Sequence, residues 1–258
     1  MHQHLLDDVA RTAALLDARG WAESSAGNIS VMYDGPAPGI AMPDGLVHLG
    51  QPLVELAGRH MLITGSGTRM RDTAADPASC LAVMHIAADG TTAAQYCAVE
   101  GQHSRPPSSE FHTHAAVHAF LARNGRDESC IVHTHATEIA AITQHKDFLH
   151  EEALNHLIWS MQPEAALFIP KGLGLVPYMI SGTATIGEAT VEALAARSVV
   201  VWEKHGILAV GRTCEAAFDL IDVVAKSIRI YLLCKSGGFV PEGLSKADID
   251  ALRERAAG

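Results

Sequence analysis

The stretch IVHTHAT, residues 131–137, sets two imidazoles, His133 and His135, on either side of one threonine. In a strand, side chains at i and i+2 leave the same face. Read that way, both rings converge on a point where a metal ion would sit, and the chain is built on a sheet whose strand end carries a site. The plainer reading is a half-exposed strand whose polar face holds two of the fifteen histidines of the chain.

Working outward, sheet and helix signals alternate. NISVMY (28–33) and HMLITGSG (60–67) read as strands running into small-residue turns. CLAVMHIAADGTTAAQYCAV (80–99) reads as two strands around Asp89-Gly90, a strong hairpin signal. VVVWEKHGILAVG (199–211) reads as a hairpin turning near Lys204-His205-Gly206, and LFIPKGLGLVPY (167–178) as a further strand pair. Helices are expected over 4–18, after Glu110 through EFHTHAAVHAFLAR, from about Thr137, in TIGEATVEALAAR, in TCEAAFDLIDVVAKSIRIYLLCK, and at the Ser-capped C-terminal LSKADIDALRERAAG. No repeat, low-complexity tract or linker interrupts the order, and no βαβ regularity appears. The expectation is a single α/β domain spanning 1–258, with a mixed, mainly antiparallel sheet flanked by helices.

The composition narrows the function. The chain has 258 residues, 48% of them hydrophobic and 19% charged, with a formal net charge of −10. Its mean hydropathy is +0.13. With no cluster of Lys and Arg, a nucleic-acid or anionic-membrane surface is not expected. No apolar run reaches the roughly 20 residues of a membrane span. MHQHLLDDVARTAALL carries acids where a secretion signal carries bases, so a cytoplasmic location is expected. Five scattered cysteines, Cys80, Cys97, Cys130, Cys214 and Cys234, form no CxxC pair and read as reduced thiols. A metal would then fall to histidine and carboxylate.

Two constellations carry chemistry. The first joins His133 and His135 to His205, at the hairpin tip, and to Glu110, at a helix start. Three neutral imidazoles and a carboxylate suit a zinc site that can yield one position to substrate. His112, His114 and His118 compete, but on a helix only His114 and His118 share a face, which points to a structural or supporting role. The second constellation is shaped for an anion. Ser25–Asn28, Thr64–Gly67 and Ser108-Ser109 are small-residue turns rich in hydroxyls and free backbone N–H groups. No GxxxxGK[ST] or GxGxxG is present, so no nucleotide is implied.

The linear order AGNIS, LITGSG, SSE, HTH and EKHG resembles the class II aldolase/adducin family, along nearly the whole chain. That resemblance implies a zinc-dependent sugar-phosphate aldolase or epimerase. His133, His135 and His205 match the family's zinc ligands. Glu110 matches its acid/base, which also ligates zinc before substrate arrives. Asn28 with Gly27, Ser66 with Gly67, and Ser108 with Ser109 match its phosphate loops. Glu164, in QPEA, matches a second acid that serves a neighbouring subunit's site. A homotetramer with sites at subunit interfaces is implied as well. The stretches NHLIWSMQPEA (155–165) and PKGLGLVPY (170–178) side with the aldolases over the epimerases, and the complete ligand set argues against a non-catalytic adducin-like interaction protein. Leu157, Ile158, Trp159 and Met161 look too apolar for a free surface and read as an interface delivering Glu164 to a neighbour.

Overall fold

The computed structural model describes residues 3–35, 43–97 and 105–257. In chain order its principal elements are α1 (Gln3–Arg19), β1 (Asn28–Tyr33), β2 (Gly45–His48), β3 (His60–Thr64), α2 (Met70–Ala75) and α3 (Pro77–Cys80). Then come β4 (Leu81–Ile86), β5 (Thr92–Cys97), α4 (Phe111–Arg123), β6 (Cys130–Thr134), α5 (Thr137–Ile142), α6 (Glu151–Met161) and α7 (Pro163–Phe168). β7 (Gly174–Val176), α8 (Ala184–Leu194), β8 (Val199–Trp202), β9 (Gly206–Gly211), α9 (Cys214–Ser236) and α10 (Lys246–Ala257) complete the order.

The nine strands form one sheet in the order β2-β5-β4-β3-β1-β6-β9-β8-β7. Every pairing is antiparallel except β7 with β8. Both faces of the central strands are covered, so β1, β3, β6, β8 and β9 are buried along their whole length. Alternation sorts the side chains. Ile29, Val31, Cys130, Val132 and Ala209 pack with Leu16 of α1 and Phe218 and Ile221 of α9. On the other face Met32, Met61 and Met84 meet Phe111 and Ala115 of α4, while Ile131, Leu208 and Val210 meet Val117 of α4 and Ile186 of α8.

Two expectations are corrected. LFIPKGLGLVPY is not a strand pair: Leu167 and Phe168 close α7, Pro170–Gly172 turn, and only Gly174–Val176 joins the sheet, parallel to β8. The Leu157–Met161 run is used within the chain. Leu157 and Ile158 are buried on the helix α6, in the core that also holds Val224 and Ile228 of α9. Trp159 donates its Nε1–H to the Ile169 carbonyl at 3.0 Å and carries the Arg253 guanidinium 4.1 Å over its ring. Packing inside one chain thus accounts for its hydrophobicity.

The hairpin at Asp89-Gly90 forms as expected, with Thr91 backbone and hydroxyl groups donating to Asp89 Oδ1. The expected last residues of its second strand, Ala98 and Val99, and the side chain of Cys97 lie outside the described residues. No helix among the described residues is long and apolar enough to cross a membrane.

Candidate metal centre and phosphate rim

The centre of the sheet sets the geometry. β1 and β6 pair with Asn28 opposite His133, and β6 and β9 pair with His133 opposite Leu208. His133 sits near the end of β6, fully buried, on the face covered by α4. His135 lies one residue beyond the strand, where its backbone N–H donates to the Trp21 carbonyl at 3.0 Å. The i, i+2 expectation therefore holds across the strand end, and the two ring centroids are 5.2 Å apart.

His205 arrives on the β8–β9 turn. Lys204 takes a left-handed φ of 56°, and its N–H donates to Thr143 Oγ1 at 3.0 Å. Gly206 has to be glycine: an added Cβ would collide with the Thr134 carbonyl oxygen and lie 3.2 Å from His133 Cε1. The His205 ring centroid is 5.0 Å from that of His133 and 4.6 Å from that of His135.

Each ring is turned by its other nitrogen or by ring packing. His133 Nδ1–H donates to the Ile207 carbonyl at 3.0 Å, which leaves Nε2 as a buried lone pair with no hydrogen-bond partner. His135 Nδ1–H donates to Glu23 Oε1 at 3.0 Å, freeing its Nε2 to face His205 Nε2 at 3.0 Å. The Trp202 ring packs against His133 at a tilt of 37°, with centroids 4.4 Å apart. Glu110, 5% exposed at the start of α4, brings Oε2 to 3.5 Å from His133 Nε2 and Oε1 to 3.9 Å from His205 Nε2.

Burial, reinforced by His205 and His135, holds the His133 pKa well below the usual histidine value. Burial and His135 lower that of His205 in the same direction. Neutral imidazoles are the ligating form, so the environment keeps these two ready for a cation. The Glu23 carboxyl, although burial pushes it up, ends below its ordinary value because of its bond to His135. An orphaned lone pair, two converging nitrogens and a carboxylate fit a divalent ion of the zinc type. Ligand atoms of His133, His135 and His205 all lie within 4.8 Å of one another.

Ligand atoms of Asp8, Cys130 and Cys214 also lie within 4.8 Å of one another, a grouping the cysteine spacing did not suggest. Their polar groups already have internal uses. The Asp8 carboxylate accepts the Cys214 and Glu215 N–H groups at the start of α9, and the Cys130 thiol faces the Arg212 carbonyl. The group reads as a tertiary cap on a 23-residue helix.

The three small-residue turns form one rim beside Glu110. Gly65 bridges Pro107, the Ser66 N–H donates to the Pro106 carbonyl at 2.7 Å, and Asn28 Nδ2–H donates to Ser108 Oγ at 3.1 Å. Gly27, with φ 75°, could not carry a side chain, because a Cβ would lie 2.9 Å from the His133 carbonyl oxygen. The expectation of free backbone donors is corrected in part. The Ser66 and Ser108 N–H groups are used within the protein, the second by the Thr64 carbonyl at 2.9 Å. Ser25, Ser66, Gly67 and Ser109 are the exposed members of the rim.

Glu164 is exposed in the first turn of α7. That helix packs on α6, α9 and α10, none of which carries a member of the histidine cluster. His112 points away from the site to the His48 carbonyl, whereas His114 and His118 share a face as the helical spacing requires. Glu23, Trp202 and Ser30 went unmarked in the sequence. Glu23 stands two residues before the first small-residue turn and Trp202 three before His205, but neither spacing is a signal by itself.

Comparison with known proteins identifies the family. Residues 7–232 match the model of the class II aldolase and adducin N-terminal domain. A protein of Bacteroides thetaiotaomicron called rhamnulose-1-phosphate aldolase is 36% identical over 245 residues, covering 93% of this chain and 90% of the relative. One of the same name from Listeria welshimeri is 32% identical, covering 92% and 86% respectively. The crystal structure of a sugar-phosphate aldolase from Thermotoga maritima superposes with a TM-score of 0.80 at 28% identity, over 93% of this chain and 99% of that one. This chain belongs to the class II aldolase and adducin N-terminal domain family.

Proposed function

We propose that this class II aldolase is a zinc-dependent lyase that splits L-rhamnulose 1-phosphate reversibly into dihydroxyacetone phosphate and L-lactaldehyde. One observation carries the reading: the lone pair of His133 Nε2, buried without a hydrogen-bond partner, lies 3.5 Å from Glu110 Oε2 and beside His135 and His205. These three histidines would hold the ion, with Glu110 as a further ligand before substrate binds. A bound divalent ion supplies a Lewis acid that draws electron density from the substrate's C2 carbonyl and C3 hydroxyl oxygens.

The remaining work belongs to the side chains. In cleavage Glu110, protonated once it has given way to substrate, delivers that proton to C3 as the C3–C4 bond breaks, and in synthesis the ionised carboxylate removes the C3 proton. Asn28 Nδ2–H, 2.8 Å from Glu110 Oε2, steers the carboxylate. Gly27, Asn28, Ser66, Gly67, Ser108 and Ser109 form the rim assigned to the phosphate, and anchoring it there positions the carbon chain against Glu110. The proton of the C4 hydroxyl is assigned to Glu164 of a neighbouring copy. Its exposed place away from the cluster suits action from outside one subunit. That assignment calls for sites shared between subunits, which we propose belong to a homotetramer; a single domain across 1–258 and a location in the cytoplasm are proposed as well.

The same centre would serve a fuculose-1-phosphate aldolase or a pentulose-phosphate 4-epimerase. The names of the relatives and their coverage favour rhamnulose. A coupled assay separates the three. Dihydroxyacetone phosphate should appear fastest from L-rhamnulose 1-phosphate, more slowly from L-fuculose 1-phosphate. Epimerised pentulose phosphate without aldehyde release would overturn the assignment.

A further inference from the structure

Behind the carboxylate of Glu110 runs a buried polar chain that ligand and phosphate chemistry leave unused. β1 presents Asn28 and Ser30 to α4, at i and i+2 on one face, and α4 answers with His114 and His118 at i and i+4. Asn28 is 5% exposed, Ser30 1%, His114 fully buried and His118 2% exposed. Ser30 Oγ stands between the two rings, 2.7 Å from His114 Nδ1 and 2.8 Å from His118 Nε2. His114 Nε2 meets Asn28 Oδ1, and the amide nitrogen of Asn28 reaches Glu110 Oε2 and Ser108 Oγ.

The direction of every proton follows from one end. An ionised carboxylate only accepts, so Asn28 turns its NH2 to Glu110 and its oxygen to α4. That oxygen accepts from His114 Nε2–H. A neutral His114 protonated at Nε2 has a bare Nδ1, which accepts the Ser30 hydroxyl proton. Ser30 Oγ in turn accepts from His118 Nε2–H. The wiring requires a neutral His114 with a bare Nδ1, and burial drives the His114 pKa down to about 3; burial also drives that of His118 well below its ordinary value.

We propose that Ser30, His114 and His118 are positioning residues, which lock the Asn28 amide with its NH2 facing Glu110 and the phosphate rim. An asparagine amide is nearly symmetric in shape, and flipped it would turn a carbonyl oxygen towards the carboxylate. The His–Ser–His chain alone could run in either direction, but with Glu110 ionised at its far end only the unflipped amide pairs every donor with an acceptor.

The proposal rests on the role of Glu110 given above, so its test includes an arm that needs no substrate. Neutron diffraction from crystals of the full-length protein should find deuterium on Nε2 of both His114 and His118, none on His114 Nδ1, and the Asn28 ND2 group facing Glu110. Deuterium on His114 Nδ1, or the Asn28 oxygen facing Glu110, would overturn the wiring whatever reaction the protein performs. The second arm compares His114→Leu, which loses the donor, with His114→Gln, whose amide can replace Nε2–H. With metal content unchanged, kcat should fall by about 10–100-fold in the first, the usual scale for groups acting through another residue, and recover to within about threefold in the second. Equal kcat in wild type and a folded His114→Leu variant would refute the positioning role. Absence of cleavage in the wild type would count against the aldolase reading and leave the neutron result to judge the wiring.

Discussion

Gly27 joins the proposed phosphate rim to the candidate metal centre, and replacing it by alanine separates two effects that usually travel together. Its φ of 75° lies in the left-handed region, and a Cβ there would stand 2.9 Å from the His133 carbonyl oxygen, a backbone atom. The conformational part costs an L-residue about 1–2 kcal/mol. The steric part needs β6 to move by roughly half an ångström, and overpacking of this kind typically costs about 1–3 kcal/mol. Gly58 supplies the control, since it has the same φ of 75° and nothing within 4 Å of an added Cβ. At about 2–4 °C per kcal/mol, Gly58→Ala should lower Tm by about 4 °C and Gly27→Ala by about 10 °C. Calorimetry on both variants reads the difference. Only Gly27→Ala should also reduce kcat/KM, by up to about 100-fold, because it displaces Asn28 and the main chain of a ligand residue. If the two variants share one Tm and wild-type activity, the close approach of β1 to His133 is not what makes Gly27 necessary.

Glu110→Gln should keep the metal and lower turnover by roughly 10²–10⁴-fold, read by paired metal analysis and kinetics; near-normal cleavage would place the proton handler elsewhere. Ser109→Asp sets a carboxylate beside the assigned phosphate position, a repulsion on the order of 1–4 kcal/mol, and should raise KM at least about fivefold. An unchanged KM would move the phosphate away from this serine. Acid stability follows from His114, whose pKa falls from an ordinary 6.5 to about 3 on folding. The unfolded chain therefore binds a proton between those values that the folded one refuses, so stability declines as pH drops below about 6.5, by about 2 kcal/mol at pH 5 from this ring alone. Urea unfolding of metal-free protein should show that decline weakened by as much in His114→Gln; identical slopes would show that His114 is not held neutral. Mixing Glu110→Gln with Glu164→Ala subunits should restore part of the activity in hybrids, and hybrids without activity would end the role of Glu164 across subunits.

How much of this was readable from sequence depended on whether the cause was local. The hairpins at Asp89-Gly90 and Lys204-His205-Gly206 and the Ser245-capped helix follow from turn and cap chemistry, and they appear as read. β2 was missed because a short edge strand of GLVH carries too few residues to show a period, although its exposure alternates. The run at 155–168 misled because hydrophobicity states that a face is covered without stating by what. Here α9 covers it. The cluster of His133, His135 and His205 was legible through motif order, while Glu23, Ser30 and Trp202 were not. Those three reach the site through register and packing between β1, α4, β8 and the Trp21–Glu23 loop, which no short window of sequence contains.

Zinc titration into chelator-stripped protein tests the central claim most directly, with L-rhamnulose 1-phosphate cleavage as the signal. Activity should be absent without metal, return in proportion to added zinc, and level off at about one ion per chain, the number the His133, His135 and His205 cluster can hold. Full cleavage by the stripped protein, or the same recovery in a folded His133→Ala variant, would contradict the account.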